Sequence, residues 1–139
     1  MDIILTYLTN PLPLLIAGVV GTVILYVFME VMAPKMLGAP MRPGDMICDI
    51  LGCSGAVGHA LHYLLGLVLF PLGYVIVAGI LGLTPSLGLG VAWGFVLFLG
   101  AVMVVAPMSG RGMFFGAMKP TMSALMAHLF YGVALGVLI

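Results

Sequence analysis

Charge is the scarcest property of this 139-residue chain, of which 6% is Asp, Glu, Lys or Arg. A soluble domain carries about 25%, so a water-facing globule is excluded on composition alone. The eight charged residues, Asp2, Glu30, Lys35, Arg42, Asp45, Asp49, Arg111 and Lys119, balance to zero. That leaves no basic surface for nucleic acid. Cysteine is also rare. Cys48 and Cys53 form a C-x4-C spacing with no second pair, which fits neither zinc nor redox motifs and leaves two ordinary thiols of a reducing compartment. Catalytic signatures are missing as well: there is no G-x-S-x-G, no H-E-x-x-H and no phosphate-binding glycine loop with its lysine. Ser54, Ser109 and Ser123 have no acid or base neighbour in sequence, so the chain reads as a non-enzyme.

What the sequence has instead is apolar length, with 64% hydrophobic residues. Crossing a bilayer core takes about 20 apolar residues, since a helix rises about 1.5 Å per residue and the core is about 30 Å thick. Four segments qualify: 12–32, 56–81, 87–108 and 121–139, with a long connector at 33–55. The expected fold is therefore all-α, a polytopic membrane protein of four transmembrane helices in one domain. Residues 1–10 contain Asp2 and no Lys or Arg, unlike a signal peptide, so the first span is expected to be a mature helix.

Lys35 and Arg42 lie on the first connector and Arg111 and Lys119 on the third, whereas Gly82 to Ser86 carries no charge. Because basic loops stay in the cytoplasm during insertion, both termini are expected outside it. Val-Met-Ala-Pro at 31–34 and Val-Val-Ala-Pro at 104–107 are expected to close helices one and three, and His62-x3-Gly66 is echoed by His128-x3-Gly132. These echoes suggest two parallel helical-hairpin repeats. Gly90-x3-Gly94, Gly132-x3-Gly136, Gly18 and Gly21 provide small faces for close helix packing. Pro71 should kink helix two. The connector, with Pro40, Pro43 and Gly44, leads into a short interfacial helix over 45–51 capped by Asp45.

Four side chains stand out as candidates for chemistry. Glu30, His59, His62 and His128 share the connector side of the membrane, and His62 and His128 each lie about 10 Å inside their helix ends. His59, His62 and Gly66 share a helix face, as do His128, Gly132 and Gly136, leaving room beside the imidazoles for a flat ring. Three readings follow. Histidines on facing helices suit a b-type haem; Glu30 with His59, His62 and His128 suits a transition metal; or each His ties helices together by bonding a carbonyl, Tyr63 or Tyr131. Every methionine but Met1 falls in the same half of the membrane. Thioethers bind copper(I), but their spacing here fits flexible packing.

Met-x-Ala-Pro at a helix end, Gly58-His59-x2-His62-x3-Gly66, Pro107 followed by Gly110-x-Gly112-Met-Phe114, and His128-Leu-Phe-Tyr131-Gly132-x3-Gly136 follow one another in order. In that order the chain resembles an uncharacterised family of small bacterial four-helix membrane proteins. The resemblance implies a bacterial inner-membrane protein of unknown function and carries over no catalytic residue. The expectation is a non-catalytic accessory or assembly subunit of a larger membrane complex, its partners being the bilayer and other membrane subunits or itself. The alternatives are a haem- or metal-binding protein and an oligomeric transporter in which Glu30 and the histidines exchange protons.

Overall fold

A computed structural model describes residues 2–38 and 41–139, apart from the side chain of Asp2; Pro40 lies outside the described residues. The chain is all helix and turn, with four helices long and apolar enough to cross a membrane. In chain order, α1 is Asp2–Thr9, α2 is Leu12–Leu37, α3 is Pro43–Leu51, α4 is Gly55–Leu81, α5 is Leu87–Met108 and α6 is Met118–Leu138. The spans are α2, α4, α5 and α6.

One expected helix end is displaced. Pro34 does not close α2, which runs on past residue 32 to Leu37 and stops at Gly38 in the left-handed conformation, whereas α5 ends at Met108 as expected, with Pro107 in its last turn. The cause is a device used three times. Phe28–Met32 precedes Pro34, Leu65–Leu69 precedes Pro71 and Ala101–Val105 precedes Pro107, and each of these five-residue stretches is a π-turn. The amides of Ala33, Phe70 and Ala106 donate five residues back, to Phe28, Leu65 and Ala101. Proline clashes with the carbonyl four residues before it. A widened turn gives the ring room without breaking the helix.

The shifted bonds free the carbonyls of Met29 and Gly66, and an unpaired carbonyl is costly where no water reaches. Met41 N–H donates to Met29 O at 3.3 Å, and the Tyr131 hydroxyl to Gly66 O at 2.5 Å. The π-turns thus supply the acceptors that fasten the first connector to α2 and α6 to α4.

Glycines decide which helices touch. A methyl group on Gly90 would meet Gly136 Cα at 2.6 Å, and one on Gly94 or Gly132 would run into the backbone of the opposite helix, so α5 and α6 pack backbone to backbone. Gly18 lets α2 close on the Leu67 carbonyl of α4, and Gly21 makes room for the Tyr131 ring of α6, which a methyl group there would meet at 2.8 Å. Helix α6 is therefore the middle of the bundle, between α2 and α5, and half of its span is buried, against 28% in α4 and in α5. Helices α4 and α5 meet only near their shared turn, where Trp93 Nε1–H donates to Phe70 O at 3.1 Å and Tyr74 and Ser86 exchange hydrogen bonds at 3.0 and 3.1 Å. A two-fold relation between hairpins would pair α4 with α5 as closely as it pairs α2 with α6. It does not hold there.

The interfacial helix α3 begins earlier than expected, with Pro43 in its first turn and Arg42, not Asp45, at the cap position. Asp45 lies in the first turn, where a negative charge suits the exposed amides. Helix α3 lies against the start of α4 through Gly44 and Gly58, whose carbonyl and would-be Cβ leave no space between them. The Tyr7 hydroxyl of α1 donates to Ile139 O at 2.5 Å, tying the two chain ends together.

Candidate functional site

Because α4 and α5 are held apart below Trp93, a cavity of about 470 Å³ opens between them. Helix α4 lines it with His62, Leu65 and Phe70, and α5 with Val96, Leu97, Gly100, Ala101, Val104 and Val105. Ala124 and His128 of α6 and Met29 of α2 form its back, while Met41, Met46, Ile47 and Phe115 cover its connector end. Among the described residues its only polar side chains are the two histidines.

His128 is buried, and its Nδ1 lies 2.7 Å from Ala124 O. A carbonyl only accepts, so Nδ1 carries the proton and a neutral ring keeps a lone pair on Nε2. The ring meets Phe98 edge-on at 6.5 Å. His62 makes no hydrogen bond among the described residues and meets Tyr63 edge-on at 6.3 Å.

His59 and Glu30 are turned elsewhere. His59 Nδ1 donates to Gly55 O at 2.8 Å and stands 3.8 Å from Asp45 Oδ1, and Glu30 Oε1 is 4.0 Å from Arg42 Nε. With His62 they border a separate void of about 10 Å³, room for roughly one water, which also touches the buried Thr22, whose Oγ1 has no partner. The four candidates divide into a pair on the cavity and a trio around the void, His62 belonging to both. Among the described residues no three His, Cys, Asp or Glu come together closely enough to hold a metal ion.

The glycines beside the histidines leave no slot for a ring, contrary to expectation. Gly66 faces Thr22 of α2, and Gly132 and Gly136 face Gly90 and Leu87 of α5, so helix packing occupies that space. The open space is on the other flank of the imidazoles. Of the methionines, Met29, Met41 and Met46 line the cavity, whereas Met32, Met36, Met103, Met108, Met113, Met118, Met122 and Met126 are exposed.

Cys48 and Cys53 are free thiols, with Cys53 Sγ donating to Cys48 Sγ at 2.7 Å and Cys48 Sγ to Ser54 O at 2.8 Å. Desolvation, followed by the bond from Cys53, pushes the Cys48 thiol above its ordinary value.

Tyr131 and Trp93 are the positioning residues that periodicity did not single out for this role. Their partners are backbone carbonyls, and only Pro71, which implies rearranged carbonyls just upstream, hinted at them.

A family model described as a family of unknown function, DUF6789, matches residues 9–139. The chain belongs to that family. No curated protein and no solved structure matches it.

Proposed function

We propose that this DUF6789 protein is a non-catalytic accessory protein of the bacterial cytoplasmic membrane that holds an apolar molecule between α4 and α5. One observation carries the reading: a cavity of about 470 Å³, apolar but for His62 and His128, at the position where two neighbouring helices fail to pack. Ligand cavities span about 300–1,000 Å³ and combine apolar walls with a few orienting polar groups. Its wall has no hydroxyl or thiol nucleophile and no carboxylate among the described residues, which favours holding a molecule over transforming it.

The accessory role is supported by the surface. With 28% of their spans buried, α4 and α5 leave most of their apolar sides to lipid or to another membrane subunit, and the connectors, the first of them taken up largely by α3 against α4, offer little to a soluble partner. Arg42 and Arg111 sit on the two connectors at one end, with Lys35 and Lys119 in the adjoining helix turns, so the positive-inside rule orients that end to the cytoplasm and the termini away from it.

Gentle solubilisation of native membranes, followed by organic extraction and an absorption spectrum of the purified protein, tests this. The expected result is one apolar molecule per chain, lost in Ala101→Phe, and co-purification with a larger membrane protein. A protein that always isolates alone and yields no bound molecule refutes it.

A second reading, b-type haem held by His62 and His128, has one observation in its favour. The bond from His128 Nδ1 to Ala124 O leaves Nε2 free, as in an iron-ligating imidazole oriented by its other nitrogen. A Soret band abolished by His128→Ala would support it, and a colourless protein from haem-replete cells would remove it.

A further inference from the structure

The connection from α3 to α4, Gly52 to Ser54, brings the two cysteines of the chain together. Cys48 stands in the last turn of α3 and Cys53 in the connection itself. On a continuous helix, residues five apart would point about 140° away from each other. Gly52 prevents that: it ends α3 in the left-handed conformation at φ +66°, its amide donating to Cys48 O at 2.8 Å, and the backbone is extended at Ser54, where α4 begins. The reversal sets Cys53 Sγ 2.7 Å from Cys48 Sγ. A disulfide spans about 2 Å between its sulfurs, so closing the bond calls for a shift of under about 1 Å.

Cys48 is fixed from two further sides. Its thiol donates to Ser54 O at 2.8 Å, and a methyl group on Gly58 of α4 would run into its sulfur. Both cysteines are nevertheless partly exposed, so the pair is open to a small solute.

We propose that Cys48 and Cys53 are a reversible redox site, a dithiol that a low-molecular-weight disulfide such as glutathione disulfide converts to an intramolecular disulfide, fastening the last turn of α3 to the entry of α4. Cys53, having given its proton to water, attacks one sulfur of glutathione disulfide; that S–S bond breaks and one glutathione leaves as its thiolate. Cys48, deprotonated in turn, displaces the second glutathione from Cys53 Sγ. The cysteines give up two electrons and two protons, and the oxidant becomes two glutathione thiols. Cys48 acts second because desolvation and the bond from Cys53 keep it a thiol for longer.

The bond bears on the cavity through α3, which carries Met46 and Ile47 over its connector end. A cross-link limits local opening of the segment it closes, so oxidation holds that cover against α4. At an end that the basic residues orient to the cytoplasm, such a bond is transient and follows the redox state of the cell.

The test is a titration of the full chain in detergent micelles with glutathione and glutathione disulfide, quenched by acid and read by intact mass, and repeated on protein denatured in urea and SDS. Folded wild type should lose two hydrogens, retain no glutathione and return to the dithiol in excess glutathione. Its equilibrium constant for oxidation should exceed that of the denatured chain by about tenfold or more, because the fold has already closed the loop. Cys48→Ser and Cys53→Ser should each stop at one glutathione adduct, and amide exchange over residues 43–51 should slow in the oxidised wild type. Two glutathione adducts on wild type, disulfides between copies, or equal constants in folded and denatured protein overturn the redox site. Unchanged exchange over residues 43–51 in a protein that does form the disulfide overturns the fastening of α3.

Discussion

Replacing Gly132 by alanine tests the contact on which the bundle depends. A methyl group there would collide with Gly90 O and stand 3.0 Å from both Gly90 C and Gly94 Cα, all of them backbone atoms of α5 that no side-chain rotation can move. Overpacking costs about 1–3 kcal/mol, and an obstacle made of backbone belongs to the upper part of that range. Against it stands the gain of about 0.5–1 kcal/mol that alanine brings to a helix interior. The net loss is about 1–2 kcal/mol, a factor of roughly 5–30 in the folding equilibrium. Gly100 on α5 is the control, because a methyl group there meets nothing within 4 Å and only the helix gain remains. In reversible unfolding of the detergent-solubilised protein by SDS, Gly132→Ala should shift the transition to lower SDS and Gly100→Ala to slightly higher. If Gly132→Ala were as stable as Gly100→Ala, the backbone contact of α5 and α6 would not exist as described.

Tyr131→Phe keeps the ring against Gly21 but removes the donor to Gly66 O; it should cost about 1–3 kcal/mol in the same assay, the range for a buried acceptor left unpaired. Trp93→Phe loses the bond to Phe70 O, for which about 0.5–1.5 kcal/mol is expected; since α4 and α5 meet only in this region, their separation, measured between spin labels at Leu69 and Val96, should broaden. A raised Cys48 pKa delays thiolate formation as pH rises, so its alkylation by iodoacetamide should need a higher pH in the folded protein than in the denatured one. Identical pH profiles in the two states would contradict the desolvation of that thiol.

The four spans were legible in the sequence because an apolar run near bilayer length has few other uses. The end of the first span, expected at residue 32, was not, since proline ends a helix only when nothing relieves its clash, and the π-turn before Pro34 relieves it. Depth counting set His62 and His128 at one level, and both line the cavity. It also grouped Glu30 and His59 with them, because helical spacing knows nothing of α3, which lies on Gly58 and draws His59 to Asp45 and Glu30 to Arg42. The glycine faces were visible as small surfaces, but small residues serve equally to admit a ligand or a neighbouring backbone, and only the assembled bundle assigns them to the latter. The cavity itself arises from a missing helix contact, for which a single sequence contains no sign.

The π-turns have a consequence for how such a membrane helix can change. Each holds one residue more than the α-helical stretch it replaces, so the parts of α4 before and after Leu65–Leu69 are offset by about 100° from a continuous helix. Deleting a single residue there would restore the α-helical count and leave the half bearing Tyr74 facing as it does relative to the half bearing His62, whereas the same deletion elsewhere in α4 would turn one half against the other by about 100°. A one-codon loss at the π-turn would thus keep the side chains that face the cavity and bring back the clash between Pro71 and the carbonyl four residues before it.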